Sequence, residues 1–183
     1  MGTRIEPGTE APDFEVDTLA GERVQISKLR GQLVWIGFSR WAACPICNYR
    51  IHQMVAEWPR RYAGRSFRHI NIFPSKPEKM IEYVVKQEPP FDLVPDPEEK
   101  LYGVYGLEAS VAKGLNLETL NIVISALRQG LGELELWDGP AFRVPADFLI
   151  DRDGIIRVAH YGRKITENIP FDTVDAWLDE HGG

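Results

Sequence analysis

The feature that most constrains this chain is a Cys-x-x-Cys pair that closely follows a short apolar run. Residues 33 to 38 (LVWIGF) contain no polar side chain and follow the turn residues Arg30-Gly31. Such a run is typical of a strand buried on both faces, as in the centre of a parallel sheet. From Pro45 onward apolar residues recur at steps of three and four, which indicates a helix. Cys44 and Cys47 therefore lie where a central strand passes into a helix.

This position makes Cys44 the predicted reactive thiol. Pro45 suits the first helical position, where its missing N–H would have no partner, and this makes Cys44 the N-cap. A sulfur there faces unpaired N–H groups and the positive end of the helix dipole, which favour the thiolate. We therefore expect the pKa of Cys44 to be depressed and that of Cys47 not to be. Cys47 would then act as the resolving thiol. Arg40 is a candidate for an additional positive charge near Cys44.

Other roles for the two cysteines fit the sequence less well. Metal binding would need more ligands, and His52 is the only nearby candidate. Covalent haem would need a histidine directly after Cys47, where Asn48 stands. A stable disulfide is typical of secreted proteins, and the N-terminus has no apolar stretch. Two buried, chemically silent cysteines are the remaining alternative. The placement favours a redox-active dithiol that needs neither a metal nor a cofactor.

The rest of the chain alternates between strand and helix patterns. Residues 11 to 27 alternate apolar and polar positions around Ala20-Gly21, which predicts an N-terminal β-hairpin. Asp153-Gly154 predicts a second tight hairpin. The further predicted elements are strands at 67–73, 91–94, 147–150 and 155–161, and helices at 76–87, 96–105 and 171–178. With no internal repeat or linker, residues 1–183 are expected to form a single α/β domain.

The segment from 110 to 140 is expected to be a helical insertion. Its apolar residues fall at steps of 3, 4, 3 and 4, which gives one helix stripe. The stripe consists of Leu117, Leu120, Ile124, Leu127 and Leu131. Packing on the chain's own sheet is the expected role, and a lid or a homodimer contact is the alternative.

Composition excludes two classes of partner. Lys plus Arg number 21 against 27 Asp plus Glu, a net charge of −6, which argues against a nucleic-acid surface. The longest apolar run is the 33–38 segment, far short of the roughly 18 to 20 residues needed to cross a membrane. With no signal segment visible, a cytoplasmic protein is expected.

The order of these elements resembles a known family. The segments that carry the resemblance are CPIC at 44–47, YGLE at 105–108 and VPADFLIDRDGIIRVAHYG at 144–162. They are similar to the alkyl hydroperoxide reductase and thiol-specific antioxidant (AhpC/TSA) family, and especially to bacterial peroxiredoxin-like proteins with a Cys-x-x-Cys pair. The resemblance implies a thioredoxin-like α/β fold, with a mixed central sheet flanked by helices, an N-terminal β-hairpin and the insertion near 110–140.

The resemblance also implies supporting residues. Thioredoxin-like proteins place a cis-proline against the cysteines, and Pro145 is the matching residue, expected to leave adjacent backbone free to pair with an extended substrate. Peroxiredoxins place an arginine near the same strand to support the reactive sulfur. Arg143 is the candidate, with an ordinary surface arginine as the alternative.

One family motif is missing. Main-type peroxiredoxins carry Pro seven residues and Thr or Ser three residues before the peroxide-reactive cysteine. Counted from Cys44, Gly37 and Trp41 stand at these two positions; counted from Cys47, they are Arg40 and Cys44. Ser39 could supply a hydroxyl from another direction, with a hydrogen bond to the backbone as its alternative role. Efficient peroxidase activity is therefore less firmly implied than dithiol chemistry.

The sequence thus predicts a thiol-disulfide oxidoreductase of the antioxidant type. Cys44 is expected to attack a peroxide or a disulfide, and Cys47 to resolve the product into a Cys44–Cys47 disulfide. An external dithiol of the thioredoxin or glutathione type would then reduce that disulfide. The alternative is a non-catalytic binding module that senses redox state or holds a metal.

Overall fold

The computed structural model describes residues 3–107, 117–133 and 143–182. The strands are β1 (Glu15–Asp17), β2 (Arg23–Gln25), β3 (Leu33–Phe38), β4 (Phe67–Phe73), β5 (Asp92–Pro95), β6 (Ala146–Ile150) and β7 (Ile156–Tyr161). The helices are α1 (Pro45–Arg61), α2 (Pro77–Tyr83), α3 (Lys100–Val104), α4 (Leu117–Arg128) and α5 (Phe171–His181). Within these ranges no helix is long and apolar enough to cross a membrane.

A mixed five-stranded sheet is the centre of the fold, in the order β5-β4-β3-β6-β7. β3 runs parallel to β4 and antiparallel to β6, and all six of its residues are buried. β1 and β2 form a separate antiparallel hairpin. The predicted mixed α/β sheet and the N-terminal hairpin are therefore confirmed.

The alternation along β3 separates two cores. Leu33 and Trp35 face the core that also contains both cysteines and residues of α1 and α5. Val34 and Ile36 face the other core, which is covered by the hairpin and α3. The loop that carries the cysteines leaves the end of β3, where Phe38 pairs with Ala146 of β6.

The cis bond predicted at Pro145 is wrong, because every peptide bond among the described residues is trans. Pro145 immediately precedes Ala146, so it does lie beside the end of β3. Its carbonyl oxygen accepts a hydrogen bond from the Gly162 N–H at 2.9 Å, which continues the pairing of β6 with β7. The trans form is the lower in energy by about 0.5–1 kcal/mol for an X-Pro bond, and here it is compatible with the start of the strand.

The helix predicted within the 110–140 insertion is confirmed as α4, but its expected orientation is wrong. Leu117 and Leu120 are 80% and 50% exposed, and Ile124 and Leu127 are exposed as well; only Leu131 of the predicted stripe is buried. The parts of the insertion at 108–116 and 134–142 lie outside the described residues.

α4 instead packs on α1 through another face. Thr119 and Ala126 of α4 are fully buried, and the half-buried Ile122 and Val123 pack against the core that contains the cysteines. Because α4 is apolar on more than one side, the spacing of leucines alone could not identify the packed face.

His69 of β4 lies in an aromatic cluster beneath the sheet. Its ring is 4.0 Å from that of Trp35 and 4.7 Å from that of Phe91, and its Nδ1 lies 3.0 Å from the Trp35 carbonyl oxygen. Burial lowers the pKa of His69 to about 3, so the ring is neutral in the folded protein and Nδ1 donates to that oxygen.

Replacing His69 with glutamine should reduce the loss of stability at acidic pH. The unfolded chain binds a proton at this residue below a pKa of about 6.5, whereas the folded protein does not until the pH approaches 3. The free energy of unfolding therefore falls as the pH falls through this window, with a slope of up to about 1.4 kcal/mol per pH unit from His69. Urea unfolding between pH 6.5 and 4 should show this slope missing in His69→Gln, which keeps an N–H donor. The exposed His52→Gln is the control, and equal slopes in wild type and His69→Gln would contradict the account.

Candidate active site

The two cysteines sit at the N-terminal end of α1, as the sequence predicts. Cys44 is the N-cap, with φ −60° and ψ 120°, and Pro45 is the first helical residue. The loop before α1 is compact because the Cys44 N–H donates to the Trp41 carbonyl oxygen at 3.2 Å. Both thiols are free and buried: Cys44 is 1% exposed and Cys47 is 7% exposed. Cys44 is thus the slightly more buried of the two residues.

Three polar side chains that the sequence analysis did not identify hold this loop. Asn48 Nδ2 donates to the carbonyl oxygens of Ala42 and Cys44, at 2.6 and 3.0 Å. The Ala42 N–H donates to Ser75 Oγ at 2.9 Å, and Gln87 Nε2 donates to Asn48 Oδ1 at 2.8 Å. The sequence could have indicated the role of Asn48, because it lies four residues after Cys44, one helical turn beyond the N-cap.

Arg40 contacts both sulfurs. Its backbone N–H donates to Cys47 Sγ at 3.3 Å, and its Nη1 lies 3.4 Å from Cys44 Sγ. The guanidinium group is buried and stacks on the Trp41 ring, 4.3 Å from the ring centroid. The structure therefore brings Arg40, Trp41, Cys44 and Cys47 together.

The electrostatics of the pair reverse the prediction of which thiol ionises first. Burial raises the pKa of Cys47, but the hydrogen bond from the Cys44 thiol, the charge of Arg40 and the backbone N–H groups of Arg40 and Trp41 outweigh it. The resulting pKa of Cys47 is about 7. Burial and the neighbouring Cys47 raise the pKa of Cys44 well above its usual range.

The predicted low pKa at Cys44 is therefore wrong. Its sulfur makes no capping hydrogen bond with the first turn of α1. Burial is the largest influence on the Cys44 pKa and raises it. The Cys47 N–H lowers this pKa but is the smallest of the influences. The prediction considered only the helix N-terminus, which lowers a thiol pKa. It did not include the loss of water around the N-cap sulfur, which raises it.

Ser39 is not aimed at the sulfurs. Its Oγ donates to Asn71 Oδ1 at 3.1 Å, and its backbone N–H donates to the Ile72 carbonyl oxygen at 2.9 Å. The described residues include no hydrogen bond between Ser39 and either cysteine. Its position is that of a polar link between the ends of β3 and β4.

Arg143 is buried, so the alternative of an ordinary surface arginine is wrong. Its Nη2 forms an ion pair with Glu99 Oε2 at 2.7 Å, and its guanidinium lies 4.3 Å from the centroid of the Tyr102 ring. The hydroxyl of Tyr102 donates to the Ser39 carbonyl oxygen at 2.6 Å. Arg143 thus supports the start of the active-site loop through Tyr102, and its Nε and Nη1 have no hydrogen-bond partner in the described part of the chain.

The described residues contain no group of three or more metal-ligating side chains. His52, the nearby candidate ligand, is exposed on α1. The geometry of the site is therefore that of a buried dithiol beside an arginine.

Thiolate titrations of three variants test which sulfur ionises first. Cys44→Ser should keep an apparent pKa near 7 for Cys47, because the serine hydroxyl can replace the thiol as donor. Cys44→Ala, the matched variant without a donor, should show a higher value. In Cys47→Ser the remaining thiol should titrate at or above the ~8.5 of free cysteine. Alkylation rates or thiolate absorbance measured against pH report each value, and a low pKa in Cys47→Ser with an ordinary one in Cys44→Ser would refute the assignment.

Three known proteins are similar to this chain in sequence or in fold. A protein of Mycobacterium tuberculosis strain H37Rv described as a candidate peroxiredoxin is 25% identical over 170 residues, covering 91% of this chain and 92% of its own. The structure of a peroxiredoxin-like protein from Aquifex aeolicus superposes with a TM-score of 0.70 at 14% identity, covering 98% of this chain and 89% of that one. The structure of a Chlorobium tepidum protein described as a candidate thiol:disulfide interchange protein DsbE superposes with a TM-score of 0.62 at 19% identity, covering 98% of this chain and 99% of that one.

These structures share the thioredoxin-like fold at low sequence identity. The model of the AhpC/TSA family matches residues 7–159, which include both cysteines, Arg40 and the strands around them. The family expected from the CPIC, YGLE and 144–162 segments is confirmed, and this chain belongs to the AhpC/TSA family.

Proposed function

We propose that the protein is a thiol-dependent oxidoreductase that cycles between a Cys44/Cys47 dithiol and a Cys44–Cys47 disulfide, with a peroxide or a disulfide as its oxidant. The observation that carries the proposal is the burial of both thiols beside the Arg40 guanidinium, whose charge lowers the pKa of Cys47. Family membership supports thiol oxidoreductase chemistry in general.

In this cycle Cys47 attacks and Cys44 resolves, the reverse of the roles expected from the sequence. Cys47 has the lower pKa, and as a residue it is slightly less buried than Cys44. A thiolate is the nucleophile in both peroxide reduction and disulfide exchange. The Cys44 thiol donates its hydrogen bond to Cys47, which places it where a resolving thiol is needed.

With a peroxide, the Cys47 thiolate attacks one peroxide oxygen and the O–O bond breaks. The product alkoxide takes a proton to leave as an alcohol, and Cys47 becomes a sulfenic acid. Cys44 then attacks this sulfur and water leaves, so that the dithiol and the peroxide yield a disulfide, an alcohol and water. Counted from Cys47, Cys44 stands at the position of the missing family Thr or Ser, and its S–H is the donor there.

With a disulfide, the Cys47 thiolate attacks one substrate sulfur and the other leaves as a thiolate. Cys44 then displaces the first sulfur from Cys47, which releases the second substrate thiol and leaves the Cys44–Cys47 disulfide. The reaction is an exchange of two thiols for one disulfide and needs no cofactor.

The regenerating partner is proposed to be an external dithiol of the thioredoxin or glutathione type. The protein resembles a yeast mitochondrial 1-Cys peroxiredoxin, TM-score 0.68 at 15% identity, whose structure is described with glutathione and thioredoxin systems. We also propose that the protein is cytoplasmic. A homodimer is proposed as well, formed through the exposed apolar face of α4.

Mixing the reduced protein with hydrogen peroxide, and separately with a protein disulfide, tests the function. Wild type should lose both thiols and gain a Cys44–Cys47 disulfide, detected by peptide mass mapping. Cys44→Ser should stop at a Cys47 sulfenic acid with peroxide, or at a mixed disulfide with the other oxidant, because no resolving thiol remains. Cys47→Ser is the matched control and should react far more slowly. If wild type keeps both thiols alkylatable with both oxidants, the binding-module alternative is favoured instead.

A further inference from the structure

A single peptide group links Cys47 to a buried tyrosine of α3. The N–H of Arg40 donates to Cys47 Sγ at 3.3 Å. The carbonyl oxygen of the same peptide group, that of Ser39, accepts a hydrogen bond from the Tyr102 hydroxyl at 2.6 Å. Because this peptide is trans, its N–H and C=O point in opposite directions. The hydroxyl, the peptide group and the sulfur therefore form one continuous chain of hydrogen bonds.

The hydrogen of the Tyr102 hydroxyl is directed mainly at the Ser39 carbonyl oxygen. A phenol has one hydrogen to donate, and the hydroxyl also lies 3.0 Å from the Ile72 carbonyl oxygen. That oxygen already accepts the Ser39 N–H at 2.9 Å, and it is farther from the hydroxyl than the Ser39 oxygen is. The bond to Ser39 is therefore the stronger of the two.

The surroundings of Tyr102 keep its hydroxyl protonated. The residue is buried, and burial raises its pKa well above the usual value. The charges of Cys47, Asp96 and Glu99 raise this pKa further, whereas that of Arg143 lowers it. Tyr102 therefore remains a neutral hydrogen-bond donor when Cys47 ionises.

Arg143 makes this hydroxyl a stronger donor. Its guanidinium lies 4.3 Å from the centroid of the Tyr102 ring, and the ion pair with Glu99 Oε2 at 2.7 Å fixes it there. A cation over the face of a phenol draws electron density from the O–H bond, which strengthens the hydrogen bond that the hydroxyl donates. A stronger bond to the carbonyl in turn polarises the peptide group and strengthens its N–H as a donor.

We propose that Tyr102 is a positioning residue for Cys47. Its hydroxyl orients and polarises the Ser39–Arg40 peptide group, so that the N–H of this group stabilises the Cys47 thiolate. Arg143 acts on the sulfur through Tyr102 rather than directly. This inference rests on the proposed function, in which Cys47 is the attacking sulfur, and adds a residue that sets its reactivity.

Two tyrosine variants provide a matched test. Tyr102→Phe keeps the ring beneath Arg143 and removes only the hydroxyl. Tyr105→Phe is the control, because Tyr105 is also buried and its hydroxyl donates to the Pro12 carbonyl oxygen at 3.2 Å, in the segment before β1. Each change removes one hydrogen bond from a buried tyrosine to a backbone carbonyl, and urea unfolding checks that both variants remain folded.

The readout is the rate of alkylation by iodoacetamide against pH in the Cys44→Ser background, where Cys47 is the only thiol. Position 44 and Arg40, which act on the Cys47 pKa, are then the same in every protein compared. Tyr102→Phe should raise this pKa by about half a pH unit, because the peptide donor loses part of its strength. The rate at pH 6 should fall about threefold, and the rates above pH 9 should converge because Cys47 is then fully ionised. Tyr105→Phe should leave the pKa unchanged.

A combined variant tests whether Arg143 acts through Tyr102. Arg143→Met removes the charge and keeps an unbranched side chain over the ring, so it should raise the Cys47 pKa while Tyr102 is present. The same change should have little effect in the Tyr102→Phe background, because the hydroxyl that carries the influence is missing.

An unchanged pKa in Tyr102→Phe, or an equal rise in Tyr105→Phe, would overturn the proposal, and this comparison stands even if Arg143→Met fails to fold. A full effect of Arg143→Met in the Tyr102→Phe background would also overturn it, because Arg143 would then act on the sulfur directly. Alkylation needs no redox cycle, so these pKa values report on Tyr102 even if no Cys44–Cys47 disulfide ever forms. Failure of the positioning role and failure of the proposed function are thereby separated.

Discussion

The site depends on one constraint: two cysteine sulfurs and one arginine share a pocket from which water is almost excluded. A buried thiolate or a buried guanidinium alone would cost several kcal/mol. Together they offset each other, because the positive charge of Arg40 stabilises the Cys47 thiolate. The Arg40 backbone N–H donates to Cys47 Sγ, and its guanidinium contacts Cys44 Sγ. The hydrogen bonds of Asn48 and Ser75 fix the loop conformation that makes both contacts possible at once.

Much of the fold is encoded locally and could be predicted from the sequence. The apolar run at 33–38 indicates a central strand, and β3 is buried along its whole length. Pro45 marks the start of α1 and places Cys44 at its N-cap, because both features follow from the chemistry of a single helix end. The two hairpins were marked by Gly-containing turns.

The site is less predictable, because its properties depend on contacts between distant segments. The order of ionisation follows from the hydrogen bond of the Cys44 thiol, the charge of Arg40 and, least, the backbone N–H groups of Arg40 and Trp41, which converge on Cys47 only once the loop has folded. Arg143 is buried because Glu99 and Tyr102, over forty residues earlier, surround its guanidinium. Which apolar face of α4 is buried depends on how α4 packs against α1. A leucine spacing cannot distinguish these sides.

The reduction potential of the Cys44–Cys47 pair tests the central claim most directly. If Arg40 stabilises the thiolate of the reduced form, then Arg40→Met must favour the neutral disulfide and lower the potential, by about 30 mV for each 1.4 kcal/mol of lost stabilisation. Arg40→Lys keeps the charge and is the matched control. Equilibration with glutathione buffers at neutral pH should place Arg40→Met below wild type, with Arg40→Lys between them. An unchanged or raised potential in Arg40→Met would contradict the account.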